Sequence, residues 1–102
     1  MTSSFEDHVR AVLDSLPLHI GKALENVAVV VEEENAEEPD LFGLFEEQEH
    51  LPARIAIYRR PLEEDFAHDP ARLEEEIRIT VLHELAHYFG IEEDRLDELG
   101  YA

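Results

Sequence analysis

The sequence predicts an α+β domain in which a small three-stranded mixed sheet packs against one long helix. Three observations predict it. Val27 to Val31 is an unbroken β-branched and small apolar run, Arg54 to Tyr58 alternates, and Leu73, Ile77, Val81, Leu85 and Phe89 recur at helical spacing. A helix with one apolar face beside short strands is stable only when the two are layered. At 102 residues the chain fits a single domain, residues 1–102, with no internal repeat. That length buries a modest core without disulfide support.

The elements follow in order. Ser3 or Ser4 can cap a first helix, with Glu6 or Asp7 reaching back to close a capping box. Phe5, Val9, Val12 or Leu13 and Leu16 form its apolar stripe, and Pro17 ends it. His19 to Leu24 is a second helical turn. Val27 to Val31 reads as a strand buried on both faces. Glu32 to Asp40 is an acidic, solvated loop. Leu41 to Phe45 is a second strand or a segment covering a cleft. As a strand it belongs either to the core or to an edge able to hold an extended peptide. Arg54 to Tyr58 alternates and reads as a third strand. Pro61 suits the first position of a short helix carrying Leu62 and Phe66. Asp69-Pro70 opens the long helix, which should run to about Phe89 and stop at Gly90. A last short helix is expected over Glu92 to Leu99.

Composition narrows the function. The formal charge is -18, which repels phosphate backbones and anionic membranes and excludes nucleic-acid binding as a working class. The same charge attracts a basic peptide or partner. There are no cysteines, so neither a disulfide framework nor a thiolate metal site is available. MTSSFEDHVR has no basic start followed by an apolar run, and no stretch approaches the roughly 20 apolar residues of a membrane span. A cytoplasmic monomer is expected.

The chemistry concentrates in TVLHELAHYFGIEED, Thr80 to Asp94. On a helix, residues four apart lie on one face, about 40° apart around the axis, so His83 and His87 can reach one ion. Zinc takes imidazole nitrogens at about 2.0–2.1 Å. Glu84 lies about 100° round from His83, close to a water on such an ion and badly placed to join both histidines as a ligand. That makes it a general base. Val81, Leu82, Leu85, Ala86, Tyr88 and Phe89 are all uncharged, although 33% of the chain is charged. Gly90 can turn the chain sharply and bring a residue about three further on back to the ion. Position 93 is Glu, which would complete three protein ligands and leave one position open for water. Asp94 and Glu92 are the neighbouring choices.

HELAHYFGIEED followed by DRLDELG resembles the bacterial minimal zincin-like metallopeptidases, whose pattern is His-Glu-x-x-His-x-x-Gly-x-x-Asp. His83, Glu84, His87 and Gly90 match it, and Glu93 stands at the final acidic position, one methylene longer. The resemblance extends to the N-terminal helix, VAVVVEEE, LFGLF and IAIYRRPLE. It implies a minimal zincin-like α+β fold and a zinc peptidase. Metzincins fit less well, because they carry a third histidine where Glu93 stands and a downstream methionine, and Met1 is the chain's only one.

The sequence therefore points to a zinc-dependent metallopeptidase acting on a peptide or protein through a metal-activated water. His83, His87 and Glu93 are the metal ligands and Glu84 the base. The alternative is a metal-stabilised acidic protein-binding module without turnover. Tyr88, Tyr58 and Arg59 are the available transition-state donors. His8, His19, His50 and His68 have no ligand spacing and read as surface or partly buried residues. Arg59 and Arg60 read as partners of the surrounding acid.

Overall fold

The computed structural model describes residues 4–89. Helix α1, Phe5–Ser15, starts with the expected capping box, which uses Ser4 and Asp7. The Asp7 N–H donates to Ser4 Oγ and the Ser4 N–H donates to the Asp7 carboxylate, both at 3.2 Å. These bonds favour the ionised form, so the Asp7 carboxyl sits below its ordinary range. Phe5, Val9 and Val12 are buried. Pro17 separates α1 from a short helix α2, Leu18–Ala23, and a 3-10 turn, Leu24–Asn26, then feeds the sheet.

The sheet is mixed, as predicted, with strands β1 (Val27–Glu32), β2 (Gly43–Glu46) and β3 (Ala53–Tyr58) in the order β1-β3-β2. β1 runs parallel to β3, with Val27 opposite Ala53, and β2 runs antiparallel to it, with Glu46 opposite Arg54. This order reverses one sequence expectation. β1, read as buried on both faces, is an edge strand: Val27 is buried, Val29 to Val31 are half-buried, and Ala28 and Glu32 are exposed. β3, the alternating segment, is the central strand, and Ile55, Ala56, Ile57 and Tyr58 are all buried. Apolarity favours a strand but does not say which strands flank it. Arg54 explains how β3 keeps a cation: its guanidinium reaches Glu32 on β1 (3.0 Å) and Glu46 on β2 (3.1 Å).

Helix α3, Arg59–Phe66, begins two residues earlier than Pro61 suggests. Proline is tolerated there because the first-turn N–H groups have no helical acceptor anyway. Arg59 pairs with Glu33 and Glu63, and Arg60 with Glu34 (3.1 Å) and Glu64 (2.7 Å). The Arg60 N–H also donates to the Glu33 carbonyl at 3.0 Å. The acidic loop is thus pinned to the start of α3, while most of its residues stay exposed.

Helix α4, Pro70–Tyr88, is capped by Asp69, whose side chain accepts from the Arg72 N–H at 3.2 Å. Leu73, Ile77, Val81 and Leu85 are buried as predicted and meet Phe5, Val9, Val12, Ile55, Ile57 and Leu62 in one core. Fully burying a side chain of this size contributes about 1.5–3 kcal/mol. Phe89, expected to extend the stripe, is 55% exposed, because the helix ends at Tyr88 and the chain leaves the register that would carry it inward. Gly90 and the expected Glu92–Leu99 helix lie outside the described residues. Among those described, no helix is long and apolar enough to cross a membrane.

Candidate metal centre

The site forms where α4 lies on β2, and Gly43 sets the approach. A Cβ built there would stand 2.5 Å from Thr80 Cγ2 and 3.0 Å from the Ala56 carbonyl oxygen, so only glycine lets strand and helix come this close. Thr80 is buried for the same reason, with its hydroxyl donating to the Glu76 carbonyl at 2.8 Å.

One turn further along α4 comes Glu84, whose Oε1 accepts from the Phe45 N–H at 3.0 Å. That N–H belongs to the outer edge of β2. The Tyr58 N–H donates to the Phe42 carbonyl at 2.9 Å, which places the inward-bonding residues of this antiparallel pair at positions 42, 44 and 46. Gly43 and Phe45 therefore turn their backbone groups outward, and the edge bond holds Glu84 beside His83. This contact was not legible in the sequence, because it depends on which edge of which strand faces α4.

His83 and Glu84 are half-buried and His87 is exposed. The two imidazole rings are 4.9 Å apart at 70° to one another. One donor atom from each of His83, Glu84 and His87 can be chosen so that all lie within 4.8 Å of one another, the one such group of metal-capable side chains among the described residues. Two imidazoles on one helix face suit zinc, and the Glu84 carboxylate lies close enough to them to meet a water on the same ion. The chain's residues fit the metal. Glu93, Asp94 and Glu92, the third-ligand candidates, lie outside the described residues.

The remaining candidates separate clearly. His8 Nδ1 lies 2.6 Å from Glu74 and ties α1 to α4. His19, His50 and His68 take no part in the cluster. Of the three donors considered, Tyr58 is buried on the sheet face opposite Ile57 and bonds Asn35 (3.0 Å), and Arg59 is held by Glu33 and Glu63. Tyr88 alone touches the site's own strand, with its ring 5.7 Å from that of Phe45.

A groove of about 230 Å³ runs from His83 and Glu84 toward the start of α4, between Leu41 and Phe42 on one side and Glu76 and Ile79 on the other. Sequence reasoning missed Glu76 and Ile79. Their signal was spacing, since they precede His83 on one helix by seven and four residues and return to its side.

Residues 24–101 match the family model described as Zincin-like metallopeptidase. No curated protein matches the chain. The matched span takes in the whole sheet, α3, α4 and the paired histidines, so it covers the scaffold as well as the motif. Members of such a family work with a metal, typically zinc. The chain belongs to the zincin-like metallopeptidase family.

Proposed function

We propose that this chain hydrolyses peptide bonds with a zinc ion held by His83, His87 and Glu93, and with Glu84 as general base. The observation that carries this reading is the convergence of His83, Glu84 and His87 at the outer edge of β2, with Glu84 tied to the Phe45 N–H. When bound, zinc lowers the pKa of a water and polarises a carbonyl oxygen. Glu84 takes the water's proton on its carboxylate and later passes it to the leaving amine nitrogen. The Phe45 N–H engages Oε1 and so fixes the carboxylate's direction. The outward backbone groups of Gly43 and the outward Phe45 carbonyl give an extended peptide an edge to lie along, while the Phe45 N–H stays with Glu84. The substrate is a peptide or protein; the charge of -18 turns nucleic acids and anionic membranes away.

The test pairs Glu84→Gln with a double change of His83 and His87 to Ala. Elemental mass spectrometry should find about one zinc per chain in the wild type and in Glu84→Gln, and none in the double variant. Peptide cleavage should fall by about 100-fold or more in Glu84→Gln. Zinc that binds without any turnover, and peptide binding indifferent to Glu84, would instead identify a metal-stabilised binding module.

A further inference from the structure

We infer that the groove beside His83 selects a long cationic side chain, lysine or arginine, next to the scissile bond, and that Glu76 reads its charge. The inference rests on the peptidase reading and names the substrate class for it. Glu76 stands seven residues before His83, which places it about 20° away around the helix axis and about 10 Å along it. It therefore closes the far end of the groove, where a short side chain does not reach. Its own side chain is only 16% exposed.

The walls between the two ends are apolar. Leu41, Phe42 and Ile79 line them, and the Thr80 hydroxyl is already committed to the Glu76 carbonyl, with its methyl turned to Gly43. An apolar channel ending in a carboxylate suits a side chain with a methylene stem and a charged head. Arg72 is the competing cation. Its two contacts with Glu76 both fall on Oε1, at 2.9 Å, and its own side chain is 57% exposed. A pair within one helix turn whose cation is exposed and bound through a single carboxylate oxygen is weak, so Arg72 yields readily, and it can rest on the Phe66 ring, 5.2 Å away. Acidic side chains are rejected by Glu76 and by the charge of the whole molecule.

The test uses the full zinc-loaded chain and a set of peptides identical except at one position, which carries Lys, Arg, norleucine, Gln or Glu. A second set moves the Lys away from the cleaved bond. Mass spectrometry of the products should show cleavage beside Lys or Arg about tenfold above norleucine. That preference should fall to about twofold or less in Glu76→Gln and turn toward Glu in Glu76→Lys. General attraction by the acidic surface would favour displaced Lys equally, and that result would overturn the proposal. So would a Lys preference that survives in Glu76→Gln. Fluorescence anisotropy of the same peptides on the Glu84→Gln protein, with and without Glu76→Gln, needs no turnover. If nothing is cut but Lys peptides bind through Glu76, the peptidase reading fails and the groove assignment stands. If Lys and norleucine peptides bind equally, or neither binds, the groove assignment fails.

Discussion

The two edges of the sheet make an instructive pair. β1 is longer and more apolar, with Val27 buried in the core and Val29 to Val31 half-buried. β2 has four residues, one of them glycine, yet it carries the contacts that build the site. The difference lies in what each edge meets. α4 packs on β2 and β3, so the free backbone of β2 faces the histidine-bearing helix. In this small domain the strand with the weaker sequence signal does the chemistry's positioning, and the strand with the stronger signal supplies bulk.

The sharpest way to break that contrast is Gly43→Ala. The added methyl collides with Thr80 Cγ2 and with the Ala56 carbonyl, and backbone cannot give way cheaply. A loss of about 2–3 kcal/mol is expected in urea unfolding, together with displacement of Glu84 from the Phe45 N–H and a fall in peptide cleavage. Pairing it with Thr80→Ser, which removes the nearer obstacle, should restore part of the stability. On the other edge, Val29→Ala should cost about 1 kcal/mol by the same measurement and leave cleavage and zinc content unchanged. Equal loss of activity from both changes would show that the two edges are not functionally distinct.

A smaller effect concerns the arginine clamp that ties the acidic loop after β1 to α3. The Arg59 guanidinium beside Glu33 holds that carboxyl below its ordinary value of 4.5. A carboxyl whose folded value is depressed contributes stability above its unfolded value and loses it as pH falls through the folded one. Stability should therefore decline from about pH 5 downward, and Arg59→Gln should make that decline shallower when thermal unfolding is followed against pH. Glu33 is exposed to solvent, so the change will be slight. The smallest effect is expected at the β2–β3 connection, where His50 holds a φ of 65°. His50→Gly relieves the left-handed strain but adds freedom to the unfolded chain, for a net gain of about 0.5 kcal/mol in the same unfolding assay.

Much of this arrangement was legible in advance. The Ser4 cap, the Asp69-Pro70 start and the Leu73 to Leu85 stripe are local signals, and each produced the element expected of it. The pairing of His83 with His87 follows from helix periodicity alone. What failed to show was non-local. The sheet order put the alternating segment at the centre and the uniform valine run at the edge, which no window of sequence records. Phe89 kept the spacing but not the helix. The bond from Phe45 to Glu84 joins residues whose meeting depends on strand register, and Glu76 lines the groove only because Leu41 and Phe42, just before β2, supply the opposite wall.

The path of the chain through its sheet also has a kinetic side. β2 and β3 join through a short loop, so Glu46 and Arg54 can pair early at small entropic cost. β1 finds β3 only after the acidic loop and the whole of β2 have been gathered in, Val27 against Ala53. Contacts of such sequence separation must close a larger loop and so form more slowly. The site closes a larger loop still, since the bond from the Phe45 N–H to Glu84 spans 39 residues, so the hairpin that carries Gly43 and Phe45 can form ahead of the site it will support.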